Sequence, residues 1–385
     1  MNLAESLAAL KHQIDTINTP PLVEDKGHLD HPEDLVFLGD ITGATRALTA
    51  IQQTVTNPKT VTIKWDGYPA LIFGRGSDGK FSIMDKHMFN KKDGTGRRIF
   101  SSKQFREYDL ARGVDRSDLH RLIAEIWPGL EKASAGASGY YWGDLLFSNP
   151  LTEANGLYTF KANPNGITYT VDPKSVVGKL MAGKQAGIAV HQYIAPDAPS
   201  TDLAVPLNGN IGKLKNNSNV AIVPSKMPNT PALKLDTSLA AGVKNAISQY
   251  GDAVNQLMNT APQARNTFNQ LFTTYINKKI VSGDLNNLLQ GFMSYVDTRP
   301  MTDAMRAKID THLQNNQDGL VGAFTIWAAI YKLKMSIVDQ LNKAAESSPV
   351  QGYLQDGTAT QEGFVSQGLK FVDRMGFSRQ NLQGR

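Results

Sequence analysis

Lys64 ends a short apolar alternation, VTIK, and is followed at once by Trp65, Asp66 and Gly67. A lysine amine has a reference pKa near ~10.4, so at neutral pH it is protonated and is no nucleophile. Burial beneath a ligand and nearby cations lower that value. Gly67 has no Cβ, so the backbone after the lysine can turn close to whatever the lysine faces. A second chemistry competes a few residues on, where Gly74-Arg-Gly-Ser-Asp-Gly79-Lys80 approaches a phosphate-binding loop. That loop needs a Ser or Thr after its lysine, at a strand-to-helix turn. Phe81 occupies that position and FSIMD continues as a strand, so Ser77-Asp78-Gly79 reads as a hairpin turn. His28 and His31, near Asp30 and Asp34, have metal-like spacing, but the segment reads as a solvated turn or a capped helix start. Asn90 to Arg98, NKKDGTGRR, is a basic loop that reads as solvated and that, beside a cleft, would track a phosphate backbone.

The elements that must position these residues change in texture along the chain. The spacing predicts a short amphipathic helix at the N-terminus, broken by Pro20-Pro21, and a second helix over 40–56. From Val61 to about Val223, VTIKW, ALIFGR, KFSIMD, GYYWGDLLF, LYTFK, GITYTV and AGIAVHQYI are strand-like runs separated by Gly, Pro, Asn and Asp. One helix, SDLHRLIAEIWPGLEKA, interrupts them. Residues 235–348 then carry helical periodicity, and EGFV and LKFVDR return to strand-like alternation. The expected class is α+β with largely antiparallel sheets flanked by helices. Residues 1–58 form a helical lead-in, 59–230 the main unit, 235–348 a helical insertion, and 355–385 strands that rejoin the first sheet. Trp65 and Tyr68 flank the lysine as cleft or sheet-packing residues, while Gly139 to Trp142, Trp327 and Tyr331 read as core.

At 385 residues, with 41% hydrophobic and 19% charged residues, the chain has the composition of a globular protein of two or three units. No apolar run reaches the ~18 residues of a membrane span. The first residues lack the basic start, apolar block and cleavage site of a signal peptide. There is no cysteine, which excludes disulfides, thiol catalysis and cysteine zinc sites and points to an intracellular setting. A net charge of +5 and a pI near 9.1 are compatible with a polyanionic partner.

Lys64-Trp65-Asp66-Gly67 matches KxDG, and with it the chain resembles the covalent nucleotidyltransferases: ATP-dependent DNA ligases, RNA ligases and mRNA capping enzymes. In that superfamily the lysine attacks the α-phosphate of a nucleotide, forms a lysyl-NMP and releases pyrophosphate. Further motifs follow in order. Lys86, or Arg75 in competition with it, corresponds to a basic residue on a nearby strand. GYYWGDLLF resembles the apolar run ending in Gly-Glu, with Asp144 where glutamate is usual. AGIAVHQYI is the counterpart of the run whose aromatic ring stacks on the base, with His191 or Tyr193 as candidates. Glu362-Gly363-Phe364-Val365 matches EGxV, with Gln367 where that motif carries lysine, and LKFVDR resembles the last motif through Lys370 and Arg374. From about His28 to Asn381 the chain also resembles a family of uncharacterised proteins of tailed bacteriophages.

The resemblance implies ATP and Mg²⁺ as cofactors and RNA or DNA as partner. Lys64, Asp66, Glu362 and Lys370 would be catalytic, and Gly67, Arg75, Lys86, Asp144, His191 and Arg374 would hold the nucleotide. Asp144 and Glu362 would be the metal ligands, and Lys370, Lys86 and Mg²⁺ the cations that lower the Lys64 pKa. The expected activity is an ATP-dependent polynucleotide ligase working through a lysyl-AMP. The absence of a barrel after LKFVDR favours an RNA-ligase-like layout. The alternatives are a non-catalytic ligase-like phage structural or nucleic-acid-binding protein, and nucleotidyl transfer to another acceptor.

Overall fold

The computed structural model describes residues 29–378, except 164–165, 208–212, 217–218, 228–229, 261–264, 355–356 and 358–360. The expected N-terminal helix and His28 lie outside the described residues. The first helix, α1 (Leu35–Thr56), begins earlier than its sequence periodicity and is kinked at Gly39 and Asp40. It buries Val36, Phe37, Ala44, Ala47, Leu48 and Ile51, positions that recur at helical spacing on one face.

Three sheets follow. The smallest has the order β1-β12-β13 and joins β1 (Thr62–Lys64) to β12 (Gly363–Ser366) and β13 (Leu369–Phe371). Its antiparallel register pairs Thr62 with Val365 and Lys64 with Gly363, so the last strands do return to the strand that carries the lysine. The largest sheet runs β10-β8-β4-β2-β3, from β2 (Ala70–Arg75), β3 (Phe81–Met84), β4 (Gly139–Phe147), β8 (Ala186–Ile194) and β10 (Val220–Pro224). A short β9 (Val205–Pro206) adds to β8. The β2–β3 connection is the hairpin expected at Ser77-Asp78-Gly79, with Gly79 at φ +72°, and no helix follows Lys80. The third sheet has the order β11-β7-β6-β5, from β5 (Glu153–Ala154), β6 (Leu157–Lys161), β7 (Thr168–Val171) and β11 (Val350–Tyr353). Among the strands described, pairing is antiparallel except for β8 and β10, which run parallel.

Two short helices, α2 (Lys86–Phe89) and α3 (Ser102–Ala111), precede α4 (Ser117–Ala133), and α5 (Val176–Met181) precedes β8. Of these only α4 is expected from the sequence. α3 buries just Phe105 and Asp109, too little apolar periodicity to read. The helical block comprises α6 (Thr237–Asn259), α7 (Arg265–Ser282), α8 (Leu288–Asp297), α9 (Asp303–Asn315) and α10 (Gln317–Glu346).

This block is not a separate lobe. Its side chains, among them Val243, Phe272, Trp327 and Ile337, share one core with α1, with Ile63 and Trp65, with Tyr169 and Val171, and with Phe364 and Phe371. A second core packs α3 and α4 against the large sheet. The strands of that sheet feed both, giving Leu146, Ala189 and Val223 to the first core and Leu145, Ile188 and Ile222 to the second. By length and composition α10 would suffice to cross a membrane, but its apolar residues lie in the first core.

Candidate functional site

Where the two cores meet, a cleft of about 320 Å³ opens over the end of β1. Lys64, Asp66, Gly67, Asp144, His191, Glu362 and Lys370 all line it. The volume lies at the lower end of the range typical of small-molecule sites, about 300–1,000 Å³.

Lys64 is the last residue of β1, and its register partner is Gly363. That register brings Glu362, the residue before β12, against the amine, and Lys64 Nζ donates to Glu362 Oε1. Asp66 is anchored by the turn before β7. Its Oδ1 accepts from Asn163 Nδ2 at 3.0 Å and its Oδ2 from the Ile167 amide at 3.2 Å, while its own amide donates to the Tyr169 hydroxyl at 2.7 Å. Gly67 lies so close to β4 that an added Cβ would stand 2.6 Å from Asp144 Cβ and 2.7 Å from the Leu145 carbonyl oxygen. The glycine is therefore required by close approach to the strand that carries Asp144. Asp144 in turn has His191 Nε2 at 3.4 Å, and the His191 ring is tilted against Trp142 at 5.9 Å. Of the two aromatic candidates on β8 it is His191 that lines the cleft, whereas Tyr193 packs on Tyr141.

The hairpin between β12 and β13 closes one end. Gln367 and Gly368 form its turn with φ of +52° and +72°, the geometry of a two-residue hairpin loop. Gln367 lines the cleft and donates through Nε2 to Thr60 Oγ1 at 3.3 Å. Lys370, on β13, lines the same end, and its amide donates to the Asp30 carbonyl at 2.9 Å.

The electrostatics differ from the expectation that cations surround the lysine. Burial acts to lower the Lys64 pKa, but Glu362, Asp144 and Asp66 outweigh it, and the amine is held above its ordinary value. Burial pushes the Glu362 carboxyl up to about 7, with Lys64 pulling the other way. Glu362 Oε2 is buried and has no hydrogen-bond partner among the described residues. Among those residues, no group of three or more His, Asp or Glu side chains could hold a metal ion.

Three expected nucleotide-binding residues are not in this cleft. Arg75 closes the β2–β3 hairpin, donating to the Gly79 carbonyl at 2.9 Å with Glu131 at 3.6 Å. Lys86 stands just outside, its Nζ 5.5 Å from the centroid of the cleft-lining Trp142. Arg374 is 2% exposed and pairs with Asp34 at 2.8 Å and Glu33 at 3.3 Å. Glu33 also accepts from Lys334 of α10 at 2.7 Å, and Asp34 from Trp327 at 2.9 Å. The chain just past β13 thus enters a buried ion cluster that ties it to the helical block, outside the cleft. The same cluster engages Asp34, and its Arg374 and Lys334, together with Lys370 and Lys64, place positive charge around His31, an environment opposed to a metal ion.

Several residues that shape the site carry no motif. Asn163, Ile167 and Tyr169 orient Asp66 from a segment about a hundred residues on, and Trp142, expected as core, is also a cleft wall. Ser225, just past β10, accepts the Ile63 amide on its carbonyl at 2.6 Å and so fixes β1 from the other side. Only Trp65 of the two aromatics flanking the lysine motif lines the cleft, packed on Tyr169 at 4.9 Å, while Tyr68 is 64% exposed.

No curated protein and no solved structure matches the chain. Residues 26–385 match DUF6267, a family of unknown function, and since that match spans nearly the whole sequence the chain belongs to this family.

Proposed function

We propose that the chain is an ATP-dependent polynucleotide ligase, a covalent nucleotidyltransferase that works through a lysyl-AMP on Lys64. The observation that carries this reading is the convergence of Lys64, Asp66, Asp144, Glu362 and Lys370 on one cleft from well-separated parts of the chain. They are among the residues that the resemblance to ligases and capping enzymes singles out, of which Arg75, Lys86 and Arg374 lie outside the cleft. We read the mixed architecture accordingly, as a ligase-type domain of antiparallel sheets whose final strands complete the site.

In this reading Lys64 Nζ attacks the α-phosphorus of ATP. A P–N bond forms, the bond from that phosphorus to the bridging oxygen breaks, and pyrophosphate leaves. The ammonium must first lose a proton, and Glu362, in contact with it and pushed up to about 7, suits the acceptor's role. Lys370 would face the charge that develops on the phosphate. The AMP then passes to a 5′-phosphate, which frees the amine, and a 3′-hydroxyl displaces AMP to form the phosphodiester. Asp144 and Glu362, with its unpartnered oxygen, are a donor set suited to Mg²⁺, which commonly takes one or two carboxylates beside substrate phosphates. Bound there, that ion would neutralise the carboxylates that keep the proton on Lys64.

One observation favours a second reading, a ligase-like fold retained for a non-catalytic role in a virion or on nucleic acid: the carboxylates around Lys64 hold its amine protonated in the free chain. The experiment that separates the two is incubation with α-³²P-labelled ATP or GTP and Mg²⁺, followed by a denaturing gel. Label that survives denaturation and is absent from Lys64→Ala supports the enzyme, and nicked or single-stranded RNA and DNA then identify the acceptor. Folded protein, freed of bound AMP, that takes no label from either nucleotide removes the covalent mechanism. Label with no joining of any strand would point to another acceptor.

A further inference from the structure

A second cavity, of about 640 Å³, lies beyond the Lys86–Trp142 contact that walls the cleft. Lys86, Lys92 and Arg97 line it, against one carboxylate, Asp202. Its two sides are fastened together. Asn90 Nδ2 donates to Thr201 Oγ1 at 2.8 Å, and the Thr201 amide donates to Asn90 Oδ1 at 2.8 Å. Arg97 donates to the Ala198 carbonyl at 2.7 Å and lies over the Phe89 ring at 5.6 Å. Asp85 caps α2, accepting from the Met88 amide at 2.8 Å, and is itself held by Arg112 and Arg116 at 3.0 and 2.8 Å. The cations are thus mounted on a braced frame. Burial lowers the pKa of Lys86 while Asp202 acts to raise it, and an anion entering the cavity would add to that second effect.

We propose that this cavity binds successive phosphates of a polynucleotide strand and holds that strand beside the cleft, where, on the reading given above, it would be the acceptor. Three cations against one carboxylate make the cavity an anion site. The exposed Lys92 and Arg98 along the same basic loop suit a row of phosphates rather than a single one. Lys86 over Trp142 links the row to the cleft, so a strand laid here would run up to it.

The test is fluorescence anisotropy of the full chain with a short dye-labelled, 5′-phosphorylated single-stranded oligonucleotide, without ATP or Mg²⁺, over a series of salt concentrations. Lys92 is exposed, so its substitution leaves the fold intact. Lys92→Glu is expected to weaken binding roughly tenfold and to reduce the salt slope by about 1 or more, while Lys92→Arg retains both. An oligonucleotide that does not bind the wild-type chain, or that binds Lys92→Glu equally well, overturns the proposal. So does a Lys92→Glu variant that keeps its affinity for the oligonucleotide and loses it for pyrophosphate, which would assign the cavity to the nucleotide's own tail. Because binding is read without nucleotide, these outcomes do not depend on whether Lys64 takes a label.

Discussion

Lys64 and Glu362 stand 298 positions apart in the chain and meet as an ion pair at the head of the β1–β12 ladder. Both residues sit at strand ends, where the ladder has just fixed the backbone and the side chains project into the cleft. Position here comes from register: a slip of one residue would turn Lys64 to the opposite face of its strand.

Substitution of that carboxylate addresses the chemistry. Glu362→Gln keeps the shape of the side chain and removes its capacity to take a proton from Lys64. Covalent labelling is expected to slow by about 10²–10⁴-fold, the usual contribution of a positioned acid or base. Quench-flow labelling of both proteins at saturating ATP is the measurement, and equal rates would remove Glu362 from the chemical step.

The same residue makes stability depend on pH. Its carboxyl is pushed from an ordinary 4.5 to about 7 in the folded chain, so the folded state binds that proton more tightly than the unfolded one. The contribution is full below about 4.5 and is lost as pH rises through about 7. Across that interval the melting temperature of the wild type should fall relative to that of Glu362→Gln. A difference between the two that stays constant with pH would contradict the shift.

Gly67→Ala tests the close approach of the lysine turn to β4. The added Cβ would meet backbone as well as the Asp144 side chain, so one of them must move. A loss of about 1–3 kcal/mol in unfolding free energy is expected, together with a displaced Asp144 and weaker nucleotide binding. Chemical denaturation and ATP titration read the two effects, and an unchanged affinity would show that Asp144 does not depend on this contact.

Arg374→Ala should act on stability. Its removal leaves Glu33 and Asp34 buried with Lys334 as the remaining cation of the cluster, a defect worth about 3–5 kcal/mol. A variant as stable as the wild type but weaker for ATP would return Arg374 to the nucleotide site.

Much of the local structure was legible in the sequence because it is written in nearest neighbours. Alternation marked β2, β4, β6, β7 and β8; the turn residues Ser77-Asp78-Gly79 marked the β2–β3 hairpin and excluded a phosphate loop; and helical periodicity marked α1, α4 and the block from α6 to α10. The order of the motifs also brought Lys64, Asp66, Gly67, Asp144, His191, Glu362 and Lys370 together as candidates, and all seven line one cleft. Tertiary structure alone decided the rest. The parallel pairing of β8 with β10 joins strands separated by a long connection, and α3 forms with a single buried apolar side chain, so neither leaves a periodic trace. Arg374, one turn of chain beyond Lys370, looks in sequence like its companion, yet burial against Glu33 and Asp34 takes it into the ion cluster. The charge state of Lys64 is likewise a tertiary property. A pKa depends on which charges lie within a few ångströms and how much water remains, and those distances are set by strands that spacing along the chain cannot bring together.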